Sequence, residues 1–119
     1  MTGRLAIVGI GPGAAELVTP LATETLAAAT DLVGYGPYLS RVPERRGQTR
    51  HASDNREELA RAREALALAA VGRNVAVVSS GDPGVFAMAS AVFEAIESGL
   101  EAWKGIEVTV VPGISAMFA

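Results

Sequence analysis

The 119-residue sequence contains no cysteine, one histidine (His51) and one lysine (Lys104). Without cysteine, a disulfide scaffold and a cysteine-ligated metal site are excluded, and a single histidine argues against a histidine-rich metal site. We therefore expect no bound metal. The shortage of basic residues leaves a net charge of −3 and a pI near 5.1. This balance argues against nucleic-acid binding, which typically requires a basic patch or stripe.

The sequence also lacks a long apolar run. The first one has only six residues before Gly-Pro-Gly. A signal-peptide core needs about 7–15 apolar residues and a membrane span about 20. We therefore expect no membrane association and a cytoplasmic location. Because 50% of the residues are hydrophobic and 19% are charged, disorder is excluded and one folded domain is expected.

Short apolar runs alternate with helical patterns along the chain. The runs predict strands over 4–9, 31–35, 74–79 and 106–111. Helices are predicted over about 20–29, from a cap at 53 or 54 to Gly72, and from an Asp82-Pro83 cap to about 98. The stretch 36–52 is interpreted as a loop with one short helical turn. This alternation predicts an α/β fold, an open parallel sheet with flanking helices.

Glycine-rich turns follow three of the predicted strands. They lie at 9–13 (GIGPG), 80–84 (SGDPG) and 112–115 (PGIS). In a parallel sheet the carboxyl ends of the strands lie at one edge, where ligands bind. Turns of small residues let a ligand approach the backbone, and they contain no cluster of basic residues for phosphate. They therefore favour a cofactor with adenine, ribose and amino-acid parts.

The first turn also fits the dinucleotide-binding pattern G-x-G-x-x-[GA] through Gly9, Gly11 and Ala14. In that fold the helix begins inside the turn, which would place Pro20 deep in the helix, at a cost of about 3 kcal/mol. The acidic residue that binds the ribose belongs at the end of the second strand, whereas Asp31 stands at its start. A dinucleotide-dependent oxidoreductase is thus disfavoured but stays an alternative.

Arginines are concentrated between the second and third predicted strands, at Arg41, Arg45, Arg46 and Arg50, with His51 beside them. Such a cluster suits the carboxylates of an acidic substrate, because guanidinium groups form paired hydrogen bonds with them. A solvated loop is the alternative interpretation. Large apolar residues recur along the last predicted helix and just after it. Their spacing predicts core positions for Phe86, Met88, Phe93 and Trp103.

Five segments in order identify a family resemblance that spans essentially the whole chain. These are VGIGPG, LVGYGPYL, RHASDNREELARAREAL, VAVVSSGDPGVFAMASAVFE and VTVVPGISAMFA. Together they resemble the amino-terminal half of the precorrin-3B C17-methyltransferases, a family of tetrapyrrole methylases in cobalamin (and more broadly porphyrin-type) biosynthesis. GIGPG and SGDPG alone are typical of the wider superfamily.

The resemblance implies S-adenosylmethionine as the methyl donor. It implies cofactor-binding roles for Pro12, Ser80, Gly81, Asp82, Val85, Ser115 and Ala116. It implies a tetrapyrrole substrate with many carboxylates, for which Tyr35, Tyr38, Arg45 and Arg46 are the candidate substrate-binding residues. The implied reaction is methyl transfer to C17 of precorrin-3B with ring contraction. No residue is identified as the catalytic base, and none as a metal ligand.

The resemblance also implies an organisation. Residues 1–119 correspond to an amino-terminal α/β domain whose carboxy-terminal partner domain is absent from this chain. The family members are homodimers of two-domain chains, so the fragment is expected to be inactive alone. The alternatives are another tetrapyrrole methylase, the dinucleotide-binding oxidoreductase, and a non-catalytic folding or dimerisation module.

Overall fold

Five parallel strands and four α-helices make up the computed structural model, which describes residues 2–11, 18–54 and 58–113 except for the side chains at 82 and 83. The strands are β1 (Arg4–Gly9), β2 (Asp31–Tyr35), β3 (Thr49–Ser53), β4 (Asn74–Ser79) and β5 (Glu107–Val111). The helices are α1 (Pro20–Ala28), α2 (Gly36–Leu39), α3 (Glu58–Ala70) and α4 (Asp82–Ser98), and a 3-10 helix spans Glu101–Gly105. The predicted α/β class is confirmed.

The strand order is β3-β2-β4-β1-β5, and all four pairings are parallel. Successive strand residues face opposite sides of the sheet. Leu5 and Ile7 of β1 accordingly belong to a core cluster with α3 and α4, whereas Ala6 and Val8 belong to a second cluster with α1 and α2. The sheet is thus covered by helices on both faces.

The interpretation of 36–52 as loop is wrong in part, because it contains β3 as well as the expected short helix α2. Within the described part of the chain β3 is an edge strand, and it pairs with β2 from Asp31↔Thr49 to Tyr35↔Ser53. Its sequence, TRHAS, has no apolar run, and all five residues are at least partly exposed. An edge position removes the burial that produces the usual apolar pattern.

The helix ends follow the local sequence closely. Thr19 caps α1, where its side-chain oxygen accepts a hydrogen bond from the Ala22 N–H at 3.1 Å. Gly72 ends α3 with a φ of 96°, a left-handed conformation that glycine adopts without a steric cost. The start of α3 lies next to residues 55–57, outside the described part of the chain.

The Asp82 cap of α4 is displaced by one residue. Gly81 holds the extended cap conformation, so Asp82 is the first helical residue and Pro83 follows it in the first turn. The prediction that Phe86 and Phe93 are core residues is wrong: they are 59% and 51% exposed. α4 buries Val85, Met88 and Val92 instead, and both phenylalanines lie one residue beyond that stripe. Met88 and Trp103 are buried as predicted.

No helix among the described residues is long and apolar enough to cross a membrane. The same residues contain no group of three or more histidine, aspartate or glutamate side chains arranged to hold a metal ion.

Candidate functional site

β1 and β4 are neighbours at the centre of the sheet. The helices that follow these two strands lie on opposite faces of the sheet. α1 follows β1 and packs with the cluster on one face, whereas α4 follows β4 and packs with the cluster on the other. Such a reversal opens a crevice at the carboxyl ends of the two strands, which is where open α/β sheets bind ligands. The turns after β1 and β4 flank this crevice, and the turn after β5 is next to them.

The turns after β1 and β5 approach each other so closely that no side chain fits between them, and Val85 of α4 packs against the same point. A Cβ atom at Gly9 would lie 2.7 Å from the Gly113 nitrogen and 2.7 Å from Cγ2 of Val85. A Cβ atom at Gly113 would lie 3.0 Å from the Gly11 nitrogen. Glycine is therefore required at Gly9 for close packing of backbone on backbone. The expectation that the turns lie together at one edge is confirmed for their described residues.

A backbone hydrogen bond joins the β1 turn to the end of β4, and a second closes the β4 turn. The Ile10 N–H donates to the Ser79 carbonyl at 2.9 Å, and Ser79 is a buried polar residue. The Val85 N–H donates to the Gly81 carbonyl at 3.0 Å and closes the first turn of α4. Ser80 and Gly81 are half-buried at the edge.

The cofactor-binding residues implied by the family resemblance differ in their position relative to the crevice. Ser80 and Gly81 lie at the crevice. The Val85 side chain is fully buried against Gly9, so it supports the turn and offers no surface to a ligand. Pro12, Ser115 and Ala116 lie outside the described residues, as does the side chain of Asp82.

The candidate substrate residues lie on the segment that follows β2. Tyr35 ends β2 and Tyr38 lies in α2, and their rings meet edge to face with centroids 5.2 Å apart. Arg45 and Arg46 are exposed in the loop before β3. β2 and β4 are neighbours, so Tyr35 and Tyr38 border the crevice on the β4 side. Arg45 and Arg46 lie nearer the opposite edge of the sheet, because the parallel strand β3 begins there at Thr49, beside Asp31.

The arginine cluster separates into two groups. Arg50 donates to the carbonyls of Leu39 and Val42, both at 2.6 Å, and Arg41 donates to the Gly11 carbonyl at 2.8 Å. These two side chains therefore hold the backbone, and only Arg45 and Arg46 extend toward solvent. This role of Arg41 has no local sequence signal, because its partner lies 30 residues away in the chain.

A cavity of about 230 Å³ lies beside the β1 turn, between α1 and the loop after α2. Its walls are mostly apolar, with arginine side chains on the loop side. It is lined by Ile10, Val18, Thr23, Leu26, Ala27, Arg41, Val42, Pro43 and Arg45.

His51 lies far from the crevice, because it contacts Asp31, the first residue of β2, at the opposite end of the sheet. His51 Nε2 is 2.8 Å from Asp31 Oδ2, and Arg73 Nε is 2.7 Å from Asp31 Oδ1. The Thr30 hydroxyl also donates to Asp31, at 2.7 Å. Burial raises the pKa of Asp31, but the hydrogen bonds from His51, Thr30 and Arg73, with the charge of Arg73, outweigh burial and hold that pKa below its ordinary value.

The topology also counts against the dinucleotide-binding alternative. In that fold β1 and β2 are neighbours, whereas here β4 lies between them. α1 begins at Pro20, well beyond the glycine turn. The Asp31 carboxylate accepts a hydrogen bond from Arg73 and lies at the amino end of β2, whereas a ribose-binding acid belongs at the carboxyl end.

Residues 4–119 match the family model of the tetrapyrrole (corrin/porphyrin) methylases. The chain belongs to the tetrapyrrole methylase family. The precorrin-3B C(17)-methyltransferase of a Sinorhizobium species is 56% identical to this tetrapyrrole methylase over 100% of the chain and 47% of the relative. The cobalt-factor III methyltransferase of Priestia megaterium is 40% identical over 98% of the chain and 22% of the relative.

Solved structures agree with this assignment. The crystal structure of the methyltransferase CobJ matches 98% of this tetrapyrrole methylase chain and 48% of its own length, with a TM-score of 0.89 and 56% identity. The uroporphyrin-III C-methyltransferase of Thermus thermophilus, complexed with S-adenosylhomocysteine, matches 98% of the chain and 47% of its own length, with a TM-score of 0.70 and 26% identity. The chain thus spans about half the length of CobJ and of the Sinorhizobium enzyme (48% and 47%).

Proposed function

We propose that this chain is the amino-terminal domain of a methyltransferase that transfers a methyl group from S-adenosylmethionine to C17 of precorrin-3B, with ring contraction, in cobalamin biosynthesis. The observation that carries the proposal is the convergence of the three glycine-rich turns on the crevice between β1 and β4. The 56% identity to a precorrin-3B C(17)-methyltransferase supports the reaction. The lower identity of 40% to a cobalt-factor III enzyme favours the cobalt-free substrate.

The residues at the crevice fit S-adenosylmethionine. The described residues of the three turns include no lysine or arginine, and the close approach at Gly9 and Gly113 presents backbone rather than side chains. Such a surface suits adenosine and amino-acid groups better than phosphates. We assign cofactor contacts to Ser80 and Gly81, together with Pro12, Asp82, Ser115 and Ala116, while Val85 supports the turn from the core. When bound, the cofactor supplies an electrophilic methyl group on a sulfonium.

The chain contributes mainly positioning to this chemistry. A rigid crevice holds reactants in line, which removes much of the entropic cost of bringing them together. Tyr35 and Tyr38 border the crevice and would contact the macrocycle, and Arg45 and Arg46 would bind its carboxylates. No described residue combines the placement and the chemistry of a catalytic base.

The proposed organisation follows the family. A second domain would close the crevice, and the complete enzyme would be a cytoplasmic homodimer. The Sinorhizobium enzyme and CobJ are about twice as long as the matched part, which supports a second domain. We expect the 119 residues alone to bind the cofactor weakly and to show no methyl transfer.

Calorimetric titration of the chain with S-adenosylhomocysteine and with NAD tests the cofactor assignment. We expect binding of the former and none of the latter. Gly9→Ala should weaken binding by about tenfold or more, since a methyl group in a filled space costs about 1–3 kcal/mol and moves the turns apart. Gly105→Ala is the matched control, because a Cβ atom there meets nothing within 4 Å. Binding of NAD in place of S-adenosylhomocysteine, or equal affinity in both variants, would contradict the proposal.

A further inference from the structure

Arg41 connects the two parts of the candidate site. Its backbone N–H donates to the Tyr38 carbonyl at 3.1 Å, so it belongs to the segment that carries the candidate substrate residues. Its side chain crosses to the β1 turn, where Nη2 donates to the Gly11 carbonyl at 2.8 Å. A hydrogen bond from a guanidinium is charge-assisted and is stronger than one between neutral groups.

The carbonyl that Arg41 binds belongs to Gly11, a buried residue of the turn. Gly11 is buried and has a φ of 71°, in the left-handed region. Its nitrogen lies 3.0 Å from the Cβ position of Gly113, so the β1 and β5 turns are in contact at this residue. A displacement of Gly11 would therefore alter the surface at which the turns meet.

A cavity adjoins the turn on the side where Arg41 reaches it. The cavity of about 230 Å³ lies between Ile10 and the loop that carries Arg41. A void provides no contacts that would resist movement of the backbone beside it. The directional bond from Arg41 crosses from that loop to the turn and supplies such resistance.

We propose that Arg41 is a positioning residue that holds the Gly9–Gly11 backbone in its ligand-binding conformation and couples it to the Tyr35–Tyr38 segment. For the identity of the ligand the inference rests on the proposed function. If the turn adopts the binding conformation only part of the time, affinity falls by that fraction. Loss of the Arg41 bond is therefore expected to weaken cofactor binding without any direct contact between Arg41 and the cofactor.

Arg50 provides a matched control. It comes from the same part of the sequence and donates two hydrogen bonds of 2.6 Å to backbone carbonyls. Those carbonyls belong to Leu39 and Val42, so Arg50 stabilises the segment itself and does not reach the β1 turn. Methionine at either position keeps an unbranched apolar side chain and removes the donors.

The test measures amide hydrogen exchange in the free chain at Ile10, which donates to Ser79, and at Val42, which donates to Leu39. Arg41→Met should lower the protection of Ile10 by about tenfold, the loss expected for one charge-assisted hydrogen bond. Val42 should change little in that variant. Arg50→Met should show the opposite pattern. Protection of Val77 in the core of β4 serves as the reference for global stability.

Titration with S-adenosylhomocysteine gives the second readout. Arg41→Met should lose about tenfold in affinity and Arg50→Met less than about twofold. Arg41→Lys keeps one charged donor and should recover part of the loss. It also provides the measurement if Arg41→Met does not fold, since its Ile10 protection and affinity should lie below those of the wild type.

The outcomes separate this inference from the proposed function. Equal protection of Ile10 in the wild type, Arg41→Met and Arg41→Lys overturns the positioning role, whatever the chain binds. Absence of S-adenosylhomocysteine binding to the wild type, with selective loss of Ile10 protection in Arg41→Met, overturns the proposed function and supports the positioning role. Unchanged affinity in Arg41→Met despite that loss of protection overturns the coupling to the cofactor.

Discussion

Asp31 is a buried carboxylate held by donors from three separate parts of the chain. Thr30 precedes it, His51 comes from β3 and Arg73 from the start of β4. The edge strand β3 is thereby tied to the amino ends of β2 and β4. Removing one partner of such a buried ionic group is destabilising, because the other charges lose their compensation.

Asp31→Asn should lower the free energy of unfolding at pH 7 by about 2–3 kcal/mol. The pKa of Asp31 is lowered in the folded state from an ordinary value of 3.8. The unfolded chain therefore takes up the proton first as the pH falls, and this stabilisation is lost from near that value down through the folded-state pKa. It is fully present at higher pH.

Urea denaturation between about pH 2 and pH 7 checks this expectation. Asp31→Asn should show a flatter dependence on pH than the wild type. Glu101→Gln is the control, since the Glu101 side chain is 88% exposed in its pair with Lys104 and an exposed ion pair contributes little. A wild-type pH profile in Asp31→Asn would show that Asp31 does not carry the linkage.

Arg45 and Arg46 are the arginines of the loop whose side chains point to solvent. Replacement of both by alanine should weaken binding of a carboxylate-rich macrocycle, with uroporphyrin III as the probe, by about tenfold, through loss of charge-assisted hydrogen bonds. Quenching of porphyrin fluorescence measures the affinity. Arg63→Ala, exposed on α3, should leave it unchanged. If both changes have the same effect, general charge attraction and not a local site binds the macrocycle.

At the scale of the element, local sequence explains most helix ends and strands. α1 begins where Thr19 and Pro20 predict, and α3 ends at the glycine that predicts its end. Caps and turns depend on residues within one helical turn, so their signals are local. β3 has no such signal, because its placement depends on pairing with β2.

Thr19→Ala should destabilise the protein by about 1 kcal/mol, the usual effect of losing a helix N-cap. Thr25→Ala in the same helix is the control. The Thr25 hydroxyl donates to the Leu21 carbonyl within the helix at 2.8 Å, and alanine has the higher helix propensity, so no loss is expected there. Chemical denaturation of both variants measures the difference, and equal losses would exclude a specific capping role.

At the scale of the whole molecule, two apolar clusters lie on opposite faces of the sheet and α4 contributes to one of them. Helical spacing identified α4 correctly but did not distinguish its buried stripe from the adjacent one. The adjacent stripe carries Phe86 and Phe93 as well as Ala87, so apolar character does not by itself identify the buried stripe. The stripe that is buried is the one that packs against the sheet and against α3.

Met88→Ala should cost about 2–5 kcal/mol, as for other large-to-small changes in a core. Phe93→Ala, which removes a larger but 51% exposed side chain, should cost about 1 kcal/mol or less. Thermal unfolding of the two variants measures the contrast. A greater loss for Phe93→Ala would mean that the Phe93 face of α4 is covered in solution.

Local sequence was sufficient for the α/β class, for four of the five strands, for the Thr19 cap of α1 and for the glycine-rich turns, because each depends on the composition or period of a short segment. The five motifs, taken in their order along the chain, were also sufficient to identify the family resemblance. The tertiary structure alone decided the strand order, which places the turns after β4, β1 and β5 side by side. It also decided which arginines reach backbone carbonyls and which reach solvent. Those outcomes depend on contacts between residues distant in the chain, and sequence spacing does not encode them.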